Sequence, residues 1–295
     1  MRCKGWMTRR AAIRAGGAAL IAGLARIGIA APTDARDRFR ALEAEIGGRL
    51  GVAAVDTATG RQVAYRGSER FAMCSTFKWL LAAAVLAEVD RGALSLDRRL
   101  PYGAANLLDV SPVTTSHVSE GSLPVEVLCE AAVTVSDNTA ANLLLEAIGG
   151  PASLTAFLRR SGDHITRLDR SEPMLNTNYP HDPRDTTSPE AMIETMRRLL
   201  VADALSSRSK ELLNGWLKGC RTGLTRLRAG LPGNWVVGDK TGTGDRGATN
   251  DNAIAWPPGR APVLIAAYLS GSGASQDALN VTHARIAGIV VASLG

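Results

Sequence analysis

Histidine, cysteine and unbalanced charge are scarce in this 295-residue chain, and each scarcity narrows the classes of protein to which it can belong. The four histidines are scattered, without the paired spacing of metal ligands. This disfavours a zinc hydrolase, and no metal or other cofactor is expected. Of the four cysteines, Cys3 lies near the N-terminus, and the remaining Cys74, Cys129 and Cys220 are an odd number that indicates little by itself.

An excess of positive charge is also missing from most of the chain. The formal net charge is +6, but residues 1–31 hold six arginines and lysines and no acidic residue. Setting those six aside leaves 28 basic residues against 28 acidic ones. A nearly neutral body does not have the electrostatic footprint of a nucleic-acid-binding protein, so no nucleic acid is expected among its partners.

The apolar segment near the N-terminus is short. Ala15–Ala25 is a run of small and apolar residues, whereas a membrane-spanning helix needs about 20 apolar residues. Arg9 and Arg10 precede this run, and Gly28-Ile29-Ala30 follows it as a small-x-small cleavage site. We predict an export signal over residues 1–31, with the arginine pair favouring the twin-arginine route. The mature protein is then expected to be periplasmic or secreted, without a stable membrane anchor; an amphipathic N-terminus is the alternative interpretation.

The hydrophobic pattern predicts strands at both ends of the chain and helices between them. Strands are predicted at Leu50–Asp56, Arg61–Tyr65, Trp235–Lys240, Asn252–Trp256 and Val263–Ser270. Helical spacing occurs at Phe39–Ile46, Ser75–Asp90, Pro124–Val135, Thr139–Ile148, Ser153–Arg160, Pro189–Val201, Ser207–Lys218 and Gln276–Leu294. This order predicts an α+β fold, in which an antiparallel sheet flanked by helices is built from both chain ends and an all-helical lobe is inserted. The active site is expected in the cleft between them.

Two domains are predicted from this order. The sheet domain takes residues 32–66 and 219–295, and the all-helical domain takes residues 67–218. Within the helical domain, residues 167–187 have neither a helical nor a strand period. A structureless stretch of about twenty residues in a compact domain is uncommon and is usually functional.

Ser75 and Lys78 carry the first chemical signal. They lie three residues apart at the start of a predicted helix, so they share a face. A serine hydroxyl needs an adjacent base to act as a nucleophile, and a lysine serves as that base when burial depresses its pKa. Ser-x-x-Lys also arises by chance in many chains, so the pair alone is a weak signal. The neighbouring Cys74 has no histidine close in sequence, and we expect it to pack as a small hydrophobe.

Ser136-Asp137-Asn138 lies between two helical runs and has two interpretations. All three residue types favour helix caps, so the segment can be purely structural. In the functional interpretation, Ser136 relays a proton to a departing amine nitrogen, and Asn138 donates to an amide carbonyl of the substrate.

Lys240-Thr241-Gly242-Thr243 ends a predicted strand. It either blunts the edge of a sheet or holds a substrate carboxylate through the lysine and the two threonines. Gly242 leaves space for a substrate to lie against the backbone. The N–H groups of Thr243 and Ser75 would form an oxyanion hole.

The order and spacing of these segments resemble the penicillin-recognising serine enzymes, and Glu172-x-x-Leu175-Asn176 narrows the resemblance to class A serine β-lactamases. The resemblance covers nearly the whole chain after the export signal. The matching segments are Cys74–Lys78, Ser111–Thr114, Ser136–Leu144, Glu172–Asn176, Arg184–Thr187 and Lys240–Thr243.

The resemblance implies that the chain hydrolyses β-lactam antibiotics, penicillins and cephalosporins among them, as a monomer acting on a small molecule. Ser75 would open the ring to form an acyl-enzyme, and Glu172 with Asn176 would hold the water that releases the acyl group. Either Lys78 or Glu172 would take the first proton. Arg226 matches an arginine that helps to bind the substrate carboxylate.

The resemblance also assigns supporting positions. Arg170 and Asp185 match the ion pair of the glutamate-bearing loop, and the Glu172–Pro173 bond would be cis, a form that only X–Pro bonds take cheaply. Gly244 stands where carbapenem-hydrolysing members often carry a cysteine that pairs with the equivalent of Cys74. No disulfide is therefore expected here.

Two alternatives share the acylatable serine. A penicillin-binding D-Ala-D-Ala peptidase has the serine, lysine and strand motifs, and a non-catalytic β-lactam sensor becomes acylated and then signals. A positioned general base contributes roughly 10²–10⁴ in rate, so the base that releases the acyl group separates these classes from a hydrolase. Glu172 in its loop favours the hydrolase, and a sensor would be expected to carry a membrane anchor.

Overall fold

A computed structural model of the chain describes residues 34–294, so the predicted export signal and Cys3 lie outside the described residues. Its strands are β1 (Arg49–Asp56), β2 (Gln62–Tyr65), β3 (Phe71–Ala72), β4 (Arg99–Pro101), β5 (Ser122–Pro124), β6 (Thr186–Thr187), β7 (Val236–Thr243), β8 (Thr249–Trp256) and β9 (Val263–Ser270). Five of them form one sheet in the order β2-β1-β9-β8-β7, and every neighbouring pair is antiparallel. The sheet is thus built from both ends of the chain, which confirms the predicted fold class.

Helices cover both faces of this sheet. They are α1 (Ala35–Ile46), α2 (Phe77–Asp90), α3 (Pro112–Ser116), α4 (Val125–Thr134), α5 (Asn138–Ala147), α6 (Pro151–Arg160), α7 (Pro189–Met196), α8 (Ser207–Lys218), α9 (Leu227–Gly230) and α10 (Gln276–Leu294). The pleat of the central strands divides the core between the two faces. In β1, Val52 and Ala54 pack in the same cluster as α1 and α10, whereas Ala53 and Val55 pack in the cluster that contains α2.

Helix α2 is the buried centre of the helical region. Its residues from Phe77 to Leu86 are all buried, and it contacts α4, α5, α6 and α8. The sequence predicted this helix from Ser75, but the structure has a 3-10 turn at Cys74–Thr76 before the α-helix begins. The turn places Ser75 at the entrance of the helix rather than within it.

The structure differs from the prediction in three further places. The predicted helix Pro189–Val201 ends as an α-helix at Met196 and closes with a π-helical turn, Arg197–Val201. The strand predicted at Trp235–Lys240 continues to Thr243, so the Lys-Thr-Gly-Thr motif lies within the paired part of β7. The pairs β3–β6 and β4–β5 have only two or three residues per strand, which is too short to show a period.

The strand pair β3–β6 joins two segments that carry predicted site residues. Phe71 pairs with Thr187 and Ala72 with Thr186, so the end of the glutamate-bearing loop lies beside the chain that leads to Ser75. The division into a sheet domain (32–66 and 219–295) and an all-helical domain (67–218) stays a prediction.

No single helix within residues 34–294 has both the length and the hydropathy of a membrane span. Helices α5 and α6 reach that length and hydropathy only when taken together, and they are bent by 70° relative to each other. Cys74, Cys129 and Cys220 are buried free thiols.

Candidate active site

Ser75 lies on the 3-10 turn that precedes α2 and is half-buried. Its Oγ donates a hydrogen bond to Glu172 Oε1 at 3.2 Å. Strand β7 passes close to this turn, because a Cβ built on Gly242 would lie 2.6 Å from Met73 O and 3.2 Å from Ser75 N. A glycine at this position therefore lets the strand backbone approach the N–H group of the nucleophile, in addition to leaving space for a substrate.

Lys78 is fully enclosed by polar groups. Its Nζ donates to Ser136 O at 2.8 Å and to Asn138 Oδ1 at 2.6 Å, and it lies 3.0 Å from Glu172 Oε1. Burial lowers the pKa of Lys78, and the attraction of Glu172 opposes that change. A lysine with a lowered pKa gives up its proton more readily than one in water, which suits a group that passes protons.

Ser136 stands between two lysines. Its Oγ accepts hydrogen bonds from Lys78 Nζ at 3.3 Å and from Lys240 Nζ at 3.1 Å, and its backbone has φ 61°. Burial lowers the pKa of Lys240 to about 8, and the positive charge of Lys78 acts in the same direction. A hydroxyl with two cationic donors can release its own proton to a third group, because both donors stabilise the oxygen that remains.

Arg226 orients the end of the Lys-Thr-Gly-Thr strand. Its guanidinium is buried, donates to Gly242 O at 2.9 Å and donates to Thr243 Oγ1 at 2.7 Å. Burial also lowers the pKa of Arg226. The hydroxyls of Thr241 and Thr222 share a hydrogen bond of 2.5 Å. This end of β7 therefore combines hydroxyl groups with a fixed positive charge behind them, which is an arrangement that binds a carboxylate.

The glutamate-bearing loop is closed by a carboxylate. Asp185 is fully buried; its Oδ2 accepts from Arg170 Nε at 2.5 Å, and its Oδ1 accepts from the N–H groups of Asp169 and Arg170 at 2.7 and 2.9 Å. The ion pair implied by the family resemblance is thus confirmed. The Glu172–Pro173 peptide bond in this loop is cis, as that resemblance also implied.

Asn142 holds the backbone of Glu172, and the sequence reasoning did not single it out. Its side chain accepts from the N–H of Glu172 at 3.0 Å and donates to the carbonyl of Glu172 at 2.9 Å. Asn142 lies four residues after Asn138 on α5, so one helical turn brings both amides to the same face. That spacing within the matched motif was a usable signal.

The second carboxylate oxygen of Glu172 faces Asn176. Glu172 Oε2 accepts from Asn176 Nδ2 at 2.6 Å. Asn176 Oδ1 is a buried acceptor with no protein partner among residues 34–294. The two side chains therefore present acceptor atoms side by side, as a site for a water molecule requires.

The structure confirms a helix cap in Ser136-Asp137-Asn138 and leaves the functional interpretation open to both neighbours of the cap. Asp137 caps α5, since its Oδ1 accepts from the N–H of Ala140 at 2.9 Å. Ser136 and Asn138, on either side of the cap, turn toward Lys78. The cap fixes the two neighbours, so the structural and functional interpretations do not compete.

Cys74, next to Ser75 in the chain, is fully buried. Burial raises the pKa of its thiol to about 12, so the thiolate is scarce at neutral pH. Within the described part of the chain, no cluster of three or more His, Cys, Asp or Glu residues is arranged to hold a metal ion. All of the predicted site residues lie in this one region, linked by the contacts described above.

Comparisons with known proteins point to one enzyme family. A family model described as the beta-lactamase enzyme family matches residues 34–294. Beta-lactamase CTX-M-8 of Citrobacter amalonaticus is 48% identical over 237 residues, which are 80% of this chain and 81% of that protein. Beta-lactamase AST-1 of Nocardia asteroides is 48% identical over 258 residues, 88% and 83% of the two chains. Among solved structures, the class A beta-lactamase of the last common ancestor of Gram-negative bacteria is 60% identical, with a TM-score of 0.87 over 88% of this chain and 99% of its own.

Proposed function

This chain belongs to the beta-lactamase enzyme family and hydrolyses the β-lactam ring, and we propose that it acts on penicillins and cephalosporins through an acyl-enzyme on Ser75 that Glu172 releases. One observation carries the mechanism. Glu172 Oε1 lies 3.2 Å from Ser75 Oγ and 3.0 Å from Lys78 Nζ, so one carboxylate oxygen reaches both the nucleophile and the buried lysine.

Acylation begins with removal of the Ser75 proton. The hydrogen bond from Ser75 Oγ to Glu172 Oε1 supports Glu172 as the direct acceptor, with Lys78 as its counter-charge. Ser75 Oγ then attacks the ring carbonyl, a C–O bond forms and the C–N bond of the ring breaks. The carbonyl oxygen is held by the N–H groups of Ser75 and Thr243; removing one such donor typically costs about 10²–10³ in rate.

The departing ring nitrogen needs a proton. Ser136 is the proposed donor, because its hydroxyl accepts from both Lys78 and Lys240 and is free to give its own hydrogen to the nitrogen. The proton that Ser136 gives up is replaced from Lys78, whose pKa burial lowers. Asn138 is the proposed donor to the amide carbonyl of the substrate side chain.

Release of the acyl group also depends on Glu172. Glu172 first passes the proton that it took from Ser75 to Lys78, 3.0 Å away, and is again a carboxylate. A water molecule between Glu172 and Asn176 then loses a proton to that carboxylate and attacks the ester carbon; the C–O bond to Ser75 breaks, and Ser75 Oγ takes the proton from Glu172. The buried acceptor Oδ1 of Asn176 supports this role. Asn142 holds the backbone of Glu172 and so keeps the carboxylate in reach of the ester.

The substrate carboxylate is proposed to bind at the end of β7. Lys240, Thr241 and Thr243 supply an ammonium and two hydroxyls, Gly242 keeps the strand close to the nucleophile, and Arg226 holds Thr243 from behind. When the substrate carboxylate binds there, the carbonyl of the β-lactam ring is placed over Ser75. An effectively unimolecular acylation requires this positioning.

Steady-state hydrolysis of a chromogenic cephalosporin tests this function. Wild type should turn over many equivalents. Glu172→Ala should stop near one equivalent, because Lys78 without its counter-charge can take the Ser75 proton, whereas no other group activates the water that releases the acyl group. Glu211→Ala, an exposed glutamate on α8, is the matched control and should behave as wild type. A wild type that also stops after one equivalent would instead indicate the peptidase or the sensor.

We also propose that residues 1–31 direct export and that the mature enzyme is a monomer in the periplasm or outside the cell. The paired Arg9 and Arg10 and the apolar run after them support this proposal. Replacing both arginines by lysine should leave activity in the cytoplasm if the twin-arginine route is used. Unchanged export of that variant would assign the general route.

A further inference from the structure

A cavity of about 560 Å³ opens where the glutamate-bearing loop meets the start of β1 and the end of β9. None of the catalytic or substrate-binding residues proposed above lines it. We propose that this cavity binds a small multivalent oxyanion, a molecule that carries two or more phosphate or carboxylate groups. Its volume is in the range of pockets that hold small ligands.

Positive charge dominates the walls of this cavity. Two carboxylates line it, Glu69 and Asp182. Against them stand five arginines, Arg49, Arg70, Arg170, Arg184 and Arg246. Guanidinium groups present planar forks of N–H donors that match the oxygens of carboxylates and phosphates. The five arginines surround a concavity rather than a flat face, which favours a small ligand over a macromolecule.

Both carboxylates are already paired with arginines of the same cavity. Glu69 lies 2.8 Å from Arg49, and Asp182 lies 2.8 Å from Arg184. Arg170 is neutralised by Asp185, which is fully buried behind the cavity wall. Within residues 34–294, the two cavity arginines that form no ion pair with a carboxylate are Arg70 and Arg246.

Arg70 is oriented but not saturated. Its Nη1 donates to Ile165 O at 2.9 Å and to Thr186 Oγ1 at 3.0 Å, and its remaining N–H groups make no hydrogen bond to the described residues. Burial lowers the pKa of Arg70, and the positive charges of Arg167 and Arg159 add to this effect. An anion bound beside Arg70 would stabilise its positive charge and so offset both the burial and the repulsion by the neighbouring arginines.

Arg246 is held by an aromatic ring. Its guanidinium lies 4.8 Å from the centre of the Tyr179 ring, and the residue adopts φ 53° in the turn between β7 and β8. Stacking on a ring fixes the plane of a guanidinium and leaves its edge available for an oxyanion. Two unpaired arginines on different segments explain why the ligand should carry more than one anionic group.

An anion in this cavity would tie the turn between β7 and β8 to the glutamate-bearing loop. The side chain of Asn178 already joins them, because its Nδ2 donates to the carbonyls of Asp245 and Arg246 at 3.2 and 3.3 Å. Its Oδ1 accepts from Ser270 Oγ at 3.1 Å. A ligand that binds only the folded protein stabilises it, so the thermal midpoint should rise with ligand concentration.

Isothermal titration of the whole protein with pyrophosphate and with citrate, at constant ionic strength, tests the proposal. We expect one site per chain and much weaker binding of acetate, which carries a single charge. Tighter binding of pyrophosphate would assign phosphate groups to the ligand, and tighter binding of citrate would assign carboxylates. Failure of both probes to bind at millimolar concentration overturns the proposal.

Variants locate the site. Arg70→Met and Arg246→Met should each weaken binding by about tenfold or more, as loss of a hydrogen bond to a charged group does. Arg208→Met, an exposed arginine on α8 that does not line the cavity, should bind as wild type. If either methionine variant fails to fold, the lysine variant at that position keeps the charge without the fork and should bind with intermediate affinity. Binding that survives both substitutions and competes with cephalosporin hydrolysis belongs to the catalytic cleft and rules the cavity out.

Discussion

Around Ser75, the charged side chains are buried and held by an ion pair or by hydrogen bonds, whereas around the arginine-lined cavity several are exposed and only partly paired. Lys78 and Glu172 are both 0% exposed and lie 3.0 Å apart. Arg70 and Arg246 are exposed and, within residues 34–294, form no ion pair. A buried charge must be matched by a partner in fixed geometry, because desolvation is costly. The difference indicates that the proposed catalytic groups are organised before substrate arrives, while the cavity arginines have donors left for a ligand.

The largest effect is expected from breaking the buried pair. Lys78→Met removes the cation that faces Glu172 and one of the two lysines that donate to Ser136. Acylation of Ser75 should fall by about 10²–10⁴, the usual contribution of a positioned acid or base. Stopped-flow measurement of acylation checks this, with Lys210→Met on α8 as the control. An acylation rate within tenfold of wild type would remove Lys78 from the mechanism.

A smaller effect is expected from loosening the glutamate without removing it. Asn142→Ala deletes two hydrogen bonds to the backbone of Glu172. Displacement of a catalytic group by about 1 Å can cost on the order of 10²-fold, so we expect release of the acyl group to slow by about 10- to 100-fold. Single-turnover decay of the acyl-enzyme measures this rate. Asn214→Ala on α8 serves as the matched change, and equal decay in both variants would contradict a positioning role for Asn142.

The buried lysine of β7 predicts a pH effect of intermediate size. The pKa of Lys240 falls from 10.5 to about 8 because the group is buried. As pH rises through about 8, the ammonium that binds the substrate carboxylate is lost, and kcat/KM should fall by up to about tenfold per pH unit. Lys240→Arg should keep its charge and shift this decline to higher pH.

The lowered pKa of Lys240 affects stability in the opposite direction to activity. Between pH 8 and 10.5 the unfolded protein binds more protons at Lys240 than the native protein does. The contribution of this group to the free energy of unfolding therefore rises with pH over that window while activity falls. Denaturant titrations of wild type and Lys240→Arg at the two limits measure the difference. A pH dependence of activity and stability that is the same in wild type and Lys240→Arg would argue against Lys240 as the titrating group.

The smallest effect is expected among the exposed charges. Arg246→Met removes a stacked but unpaired guanidinium, and the free energy of unfolding should change by less than about 1 kcal/mol. Chemical denaturation without added anions provides the measurement. A loss of several kcal/mol would mean that the cavity arginines serve the fold, as the buried pair does.

Most of the proposed catalytic groups could be identified from sequence because short motifs carry them. Ser75 and Lys78 share one turn, and Lys240 and Thr243 lie on one strand, so local spacing already orders them. The roles of Glu172 and Asn176 came from the family resemblance, since residues 167–187 have no period. Asn142 was overlooked because an asparagine inside a helical run is most simply explained as a polar face.

The arginine-lined cavity could not be predicted in this way. Arg49, Arg70 and Arg246 stand far apart in the chain, and only the pairing of β1 with β9 and of β3 with β6 brings their segments together. Each arginine alone is an ordinary surface residue. Their joint meaning depends on which carboxylates are already paired, and that is a property of the folded structure.

The most direct test of the account is the covalent state of Ser75 during turnover. Rapid-quench mass spectrometry with a cephalosporin, followed by peptide mapping, should find a short-lived adduct on Ser75 in wild type. In Glu172→Gln, which keeps the shape of the side chain, one equivalent of the same adduct should accumulate and persist. An adduct on another residue, or release from the variant at the wild-type rate, would contradict the claim that Glu172 frees the acyl group from Ser75.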